Sequence, residues 1–375
     1  MDFLIQRDEL IRALSRVQGI VEKRSVNPIL SAVLLQAHEG GLRITAQDKA
    51  MTFVGDFAAT VNVPGEVAVD AANAFSVARV LASDVVAVTL GDNHRLDLRC
   101  GKSFYKLAGQ APGDFPPTPG LDTPGQLTIQ AADLRRIIDQ TWFSIAPDDN
   151  RYGLNGAHLD VVPLPGGKAG EKALRMVGTD GNRLSWAQAP FEGTLSIGRR
   201  LLLPRKPLAE IRKMLEGLAV PVQIGFGDRS AVVRFEGAVI HMRLLEAEFP
   251  SYKEVLPTTF KRRVVVDREQ FIEGLKRVSI FAADGSHSVR FAFSGEGMVL
   301  TARKLDAGDA REEVQIDLQG EPLTMGFNAR FVQDVLAAVT ASRVALELGE
   351  ALSPCILKPL DAEDALFVVM PVRLD

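Results

Sequence analysis

One pattern recurs three times along the chain and limits what it can fold into. Phe3-Leu4-Ile5-Gln6 is a short β-type run, Arg7-Asp8-Glu9 follows as a polar entry, and apolar residues then fall at Leu10, Leu14 and Val17. Shifted by 124 positions, Leu127-Thr128-Ile129-Gln130 leads through Ala131-Ala132-Asp133 to Leu134, Ile138 and Thr141. Shifted by 261, Val264-Val265-Val266-Asp267 leads through Arg268-Glu269-Gln270 to Phe271, Leu275 and Val278. The i, i+4, i+7 spacing puts each triplet on one helical face, so the chain reads strand then helix three times. Three copies in 375 residues give about 125 residues each.

Later parts of the copies recur as well. Leu42-Arg43-Ile44-Thr45-Ala46-Gln47-Asp48 matches Leu174-Arg175-Met176-Val177-Gly178-Thr179-Asp180 at an offset of 132, and Gly113-Asp114-Phe115-Pro116 matches Ala247-Glu248-Phe249-Pro250 at 134. A second helical segment is expected near residues 72–82, 205–217 and 328–339, each followed by an alternating strand at 86–90, 222–226 and 344–348. The Pro/Gly-rich stretch 116–125 and the region 257–261 suggest domains at 1–122, 123–258 and 259–375. Pro165-Gly166-Gly167 reads as a hairpin loop inside the second. The fold class expected is α+β, with two helices per copy packed on antiparallel sheets.

The net charge of −4, from 43 Lys and Arg against 47 Asp and Glu, argues against a surface that grips nucleic acid everywhere. It leaves room for one basic face. Five histidines and three tyrosines supply little general acid–base chemistry. No apolar run approaches a membrane span, and the start Met1-Asp2-Phe3-Leu4 lacks a secretory pattern. Cys100 and Cys355 form no Cys-x-x-Cys pair. A reduced, cytoplasmic protein is the expectation.

On a helical wheel Arg12 and Arg16 lie opposite the Leu10, Leu14, Val17 stripe. Their equivalents are Arg136 and Gln140 in the second copy, and Glu273 and Arg277 in the third. Arg135, Lys276 and the pair Arg205-Lys206 add to this charge. Two readings stand side by side: ordinary solvated helix faces, or one shared surface meeting DNA phosphates.

Catalytic and metal motifs fail. Gly101-Lys102-Ser103 ends like a phosphate-binding loop, but Leu96 replaces the first glycine and the flanks read as strands. Asp306, Asp309 and Asp317 lack calcium-loop spacing. Asp148-Asp149 has no third ligand nearby in sequence and reads as a loop cap. A hydrolase built of repeated α+β domains is therefore disfavoured.

Several strings then become informative together. They are Arg151-Tyr152-Gly153-Leu154-Asn155-Gly156, Thr179-Asp180-Gly181-Asn182-Arg183-Leu184, Leu203-Pro204-Arg205-Lys206, Phe249-Pro250-Ser251-Tyr252, Gly326-Phe327-Asn328-Ala329 and Val368-Val369-Met370-Pro371-Val372-Arg373-Leu374. In this order, and over essentially the whole chain, they resemble the β subunit family of bacterial DNA polymerase III, the replicative sliding clamps. The resemblance implies three similar domains per chain and a head-to-tail homodimeric ring around duplex DNA, lined by helices. It implies a processivity subunit with no cofactor, no metal and no catalytic residue of its own. The partners it implies are duplex DNA, a second copy, the polymerase catalytic subunit, the clamp loader, and other replication and repair proteins carrying clamp-binding peptides, with no membrane involved. The alternative reading is a clamp-like paralogue acting as a repair scaffold or resistance variant.

By the same resemblance, the peptide cleft maps onto Arg151, Leu154, Thr179, Gly181, Arg183, Leu184, Pro250, Val255, Val368, Val369, Met370, Pro371, Val372, Arg373 and Leu374. The residues alone would read that tail as a last core strand. DNA contacts map onto Arg24, Asn73, Asp149, Tyr152 and Gly153, joined by Arg12, Arg136, Arg205 and Lys206 from the helix faces. The ring contact maps onto Tyr105 and Leu107 against Ile280 and Phe281. Four positions depart from the family pattern: Gly153 in place of a second tyrosine, Asn182 in place of histidine, Glu254 in place of a basic residue, and Asp375 beyond the usual terminal leucine. Ala72-Asn73 stands where a basic residue is common.

Overall fold

The computed structural model describes residues 1–22, 28–147, 153–195, 201–282, 287–304, 307–360 and 362–374. Its six α-helices are α1 (Arg7–Ser15), α2 (Ala71–Val80), α3 (Ala131–Trp142), α4 (Arg205–Met214), α5 (Arg268–Val278) and α6 (Ala329–Ala338). The three expected stripes all face inward: Leu10, Leu14, Val17, Leu134, Ile138, Thr141, Phe271, Leu275 and Val278 are each 3% exposed or less. The second helices and the strands Val85–Leu90, Pro221–Phe226 and Arg343–Leu348 fall where the alternation places them. Two of the second helices start at a polar cap. Asp70 accepts the Asn73 N–H at 2.8 Å ahead of α2, and Asn328 accepts the Arg330 N–H at 3.0 Å ahead of α6.

The chain forms two compact units: Met1–Ala132 with Glu192–Leu195 and Lys206–Leu244, and Asp133–Phe191 with Ser196–Arg205 and Leu245–Asp375. In the first unit, a five-stranded antiparallel sheet runs in the order Thr60–Val63, Asp2–Gln6, Val85–Leu90, Leu96–Cys100, Ser103–Leu107. A ten-stranded sheet beside it joins Met51–Phe57 of the first copy to Ala238–Arg243 of the central copy. In the second unit, a nine-stranded sheet joins Arg183–Pro190 of the central copy to Ala365–Val369 of the third. A four-stranded sheet there ends on Gly308–Val314. Helix α1 packs beside α2, and α5 beside α6.

The sheet sharing is a finding that the repeat pattern did not contain. Neighbouring copies complete each other's backbone hydrogen bonding, which covers four strand edges, two at each seam. The local expectations hold better. Residues 165–167 lie in the connection between the paired strands Gly156–Pro163 and Lys172–Thr179. Gly101 turns a hairpin at φ +58° between Leu96–Cys100 and Ser103–Leu107, and both flanks are strands, as the rejection of a phosphate loop assumed. Cys100 and Cys355 are free and buried, and burial pushes the Cys355 thiol far above its usual range. Among the described residues no helix is long and apolar enough to cross a membrane.

Candidate peptide cleft and helix faces

The candidate cleft lies in the second unit and begins with a tight turn. Strands Lys172–Thr179 and Arg183–Pro190 are joined at Asp180, whose Oδ1 accepts the N–H groups of Asn182 and Arg183, both at 3.0 Å. The Thr179 hydroxyl donates to the Arg183 carbonyl at 2.7 Å and accepts the Gly181 N–H at 3.2 Å. Gly181 sits at φ +87°, a conformation that costs a glycine little. The turn sets Leu184 opposite Val368 across the seam with the last strand, and Trp186 opposite Leu366. These four join Val177, Leu202, Phe249, Tyr252 and Ile356 in one apolar cluster. Over it runs the strap from Phe249 to Val255. His158 stacks on Phe249 at 5.3 Å, and the Tyr252 hydroxyl bonds Asp160 at 3.2 Å, while burial raises the phenol's pKa.

The tail finishes the cleft. The Met370 N–H donates to the Asn182 carbonyl at 2.9 Å, and the Val372 N–H to the Gly326 carbonyl at 2.8 Å. A Cβ on Gly326 would stand 2.7 Å from the Val372 oxygen and 2.8 Å from the Leu374 side chain, so this glycine is what lets the tail approach. Arg373 forms no ion pair among the described residues; backbone bonds and Leu374 hold the tail. Leu184 and Val368 form a covered floor, whereas Val255 on the strap is 45% exposed, Pro250 is exposed, and Met370 and Pro371 are half-buried.

Arg183 is held by three partners. Its guanidinium donates to Asp180 at 3.0 Å, to Asp334 on α6 at 2.5 Å and to the Phe143 carbonyl at 2.6 Å. It also lies over the rings of Phe143 and Phe331, and only 11% of its side chain is exposed. It ties the central copy to the third. Leu154 is half-buried, and its carbonyl accepts the Ala146 N–H at 3.0 Å. Gly153 has φ +79°, and a Cβ there would meet the Glu248 carbonyl at 3.0 Å, which gives a backbone reason for glycine at that departure from the family pattern. Arg24, Asp149, Arg151 and Tyr152 lie outside the described residues. Trp186, Phe249, Tyr252 and Leu366 were missed. The period-two spacing of Leu184 with Trp186 and of Leu366 with Val368 was the available signal for Trp186 and Leu366, and Phe249 and Tyr252 lie in the string Phe249-Pro250-Ser251-Tyr252.

The helix cations are mostly paired. Arg12 bonds Glu9 at 2.6 Å and lies over the Phe57 ring. Arg136 bonds Asp364 at 2.7 Å and the Gln188 carbonyl at 3.1 Å. Arg205 stacks on Trp142 at 4.1 Å. Lys206 reaches Asp48 at 2.5 Å and the Ile20 carbonyl at 3.0 Å. Asn73 is exposed in the first turn of α2. Arg16 departs from the wheel: its side chain is 11% exposed, set over Phe57 and Phe235 and 3.6 Å from Glu236. Tyr105 and Leu107 lie half-buried on the edge strand Ser103–Leu107, while Ile280 is 70% exposed next to a half-buried Phe281. Among the described residues no cluster of His, Cys, Asp and Glu is arranged to hold a metal.

Models of the DNA polymerase III beta subunit match the chain in three stretches: its N-terminal domain over residues 1–119, its central domain over 128–251 and its C-terminal domain over 253–373. The beta sliding clamp of Caulobacter vibrioides is 32% identical over 378 residues, covering 100% of both chains. The crystal structure of the Caulobacter crescentus beta sliding clamp is similar at a TM-score of 0.90 with 31% identity, and that of the Pseudomonas aeruginosa clamp bound to griselimycin at 0.89 with 30%, each covering 100% of both chains. Strand–helix repeats that share sheets, with a cleft walled by the chain's own tail, define a repeat-built α+β binding protein. The chain belongs to the DNA polymerase III beta subunit family, the beta sliding clamps. It is accordingly a processivity factor in DNA replication, not itself a catalyst.

Proposed function

We propose that two copies close head to tail into a ring around duplex DNA, and that polymerase, clamp loader and repair proteins dock short peptides in the cleft of the second unit. The observation that carries the peptide site is the pinned tail: two backbone bonds hold the Met370-Pro371 wall beside the Leu184–Val368 seam, with the Pro250–Val255 strap beyond it. An extended ligand with apolar anchors fits such a rim. Griselimycin is the ligand of the Pseudomonas aeruginosa relative, and a related binding surface is proposed for this chain. In this reading the domains run 1–122, 123–258 and 259–375. The test is primer extension on primed circular DNA with the cognate polymerase and loader. Full-circle products in one binding event are expected, and unchanged product lengths with and without the chain would refute the reading.

For ring closure we propose that the edge strand Ser103–Leu107 of one copy meets the Ile280-Phe281 end and the edge strand Gly308–Val314 of the other. Both strands end their sheets and present unpaired backbone groups. Charge favours the match: Arg99, Lys102 and Lys106 lie at the first edge, and Asp309, Glu312 and Glu313 outnumber Arg311 on the second, where Glu313 pairs with Arg311 and Glu312 with Arg277. A head-to-tail contact closes a ring when its rotation permits.

For DNA we propose many weak contacts, drawn from Arg12, Arg24, Asn73, Arg136, Tyr152, Gly153, Arg205 and Lys206. A topological tether needs little affinity at any one of them. Asp133 and Asp364, the carboxylate partners of Arg136, are 34% and 46% exposed, and such ion pairs exchange readily for phosphate, whereas Glu9 beside Arg12 and Asp48 beside Lys206 are largely buried. Arg12→Glu or Arg136→Glu is expected to weaken loading on the order of threefold at low salt and less as salt rises. Loss of all DNA association from one reversal, in an intact ring, would point to a discrete site instead.

A further inference from the structure

The seam in the first unit repeats the frame of the cleft with a different lining. Asp48 Oδ1 accepts the N–H groups of Ala50 and Met51 at 2.8 Å, as Asp180 does for Asn182 and Arg183, at the offset of 132. Thr52 pairs with His241 across the seam, as Leu184 pairs with Val368. The Arg243 N–H donates to the Ala50 carbonyl at 3.0 Å, the counterpart of Met370 on Asn182 at 2.9 Å. Pro116 stands for Pro250, with its carbonyl bound by the buried Gln47 at 2.8 Å. The frame encloses a pocket of about 260 Å³.

Four substitutions within this frame add polar or basic groups, while Asn182 and Arg183 give way to Ala50 and Met51. Leu184 becomes Thr52, Val368 becomes His241, Met370 becomes Arg243 and Gly181 becomes Lys49. No carboxylate lines the pocket, and Lys49 and Arg243 form no ion pair among the described residues. The nearest acid, Asp48, is held by Lys206. Burial first, and Arg243 second, lower the His241 pKa and favour its neutral form, so the site has room for a negative charge.

We propose that this pocket binds an extended acidic peptide segment, its carboxylate set between Lys49, His241 and Arg243. The choice of a peptide rests on reading the Leu184–Val368 seam as a peptide cleft; the preference for negative charge stands on the lining alone. Binding is separate from the cleft and does not use the tail.

The test uses the full-length protein and a fluorescein-labelled Gly-Glu-Gly-Glu-Gly-Glu peptide, its glutamine counterpart and inorganic phosphate. Polarisation and the His241 imidazole resonance are the readouts. The acidic peptide is expected to bind and to shift His241, with at least about tenfold loss in Lys49→Glu/Arg243→Glu. The milder Lys49→Gln/Arg243→Gln pair is expected to weaken it in the same direction, which guards against a folding effect. Deleting residues 370–375 is expected to leave this binding intact, which separates failure here from failure of the cleft. Equal binding of the glutamine peptide, no binding at about 1 mM, or full affinity in both charge variants would overturn the proposal. Phosphate shifting His241 while the peptide does not would equally overturn it, in favour of a free-anion site.

Discussion

Deletion of residues 370–375 is expected to abolish binding of clamp-binding peptides while the ring stays assembled. Met370 and Pro371 form one wall of the cleft and Leu374 covers Gly326, so the truncated chain keeps the floor and loses the wall. If a peptide buries ~100 Å² against that wall, the loss is ~2.5 kcal/mol at ~25 cal/mol per Å², or roughly 70-fold in affinity. Binding energy concentrates in a few anchors, so the whole-peptide loss approaches that figure. The last strand, Ala365–Val369, remains paired to both neighbours, and the melting temperature is expected to change little. Fluorescence polarisation with a peptide from the cognate polymerase makes the measurement. Affinity within twofold of the parent would show that partners bind somewhere else.

The second large effect concerns ring closure. Ile280→Ala with Phe281→Ala is expected to turn dimer into monomer at sub-micromolar concentration. Ile280 is 70% exposed, and an apolar side chain of that size gains about 1.5–3 kcal/mol on full burial. The head-to-tail dimer uses the contact twice, which doubles the loss. Phe281 also packs close to Gly308, so a thermal melt accompanies the sedimentation run to separate weaker folding from weaker association. A double variant as dimeric as its parent would move the interface to another surface.

Arg12 and Arg16 show how far the sequence reading reaches. One helical turn apart, both lie opposite the core stripe on a wheel. Arg12 does stay half-exposed beside Glu9, but Arg16 is covered by Phe57 and Phe235. A wheel records only a helix's own core and not what a neighbouring copy lays over its outer face. The same limit applies to Arg183. Its position in a family motif marked it for a ligand, while its contacts are Asp180, Asp334 and Phe143. Gly153 and Gly326 read as motif letters until the close approach of Glu248 and of the tail supplied a reason for each. In the cleft, the strings pointed to Leu184, Pro250 and the tail and included Tyr252, but the place of Trp186 and Leu366 in the cluster appeared only once the strands were paired.

The sequence by itself determined the three strand–helix copies, their buried stripes, the second helices and the hairpin turns. Each depends on residues within a few positions of one another, where period and turn chemistry leave a local record. Tertiary structure alone decided that Met51–Phe57 pairs with Ala238–Arg243 and Arg183–Pro190 with Ala365–Val369. Strand edges accept any partner that satisfies their N–H and C=O groups, and that choice leaves no period in the chain. Those two pairings build two seams on one frame, and side chains far apart in sequence line one with leucine and valine and the other with histidine and arginine.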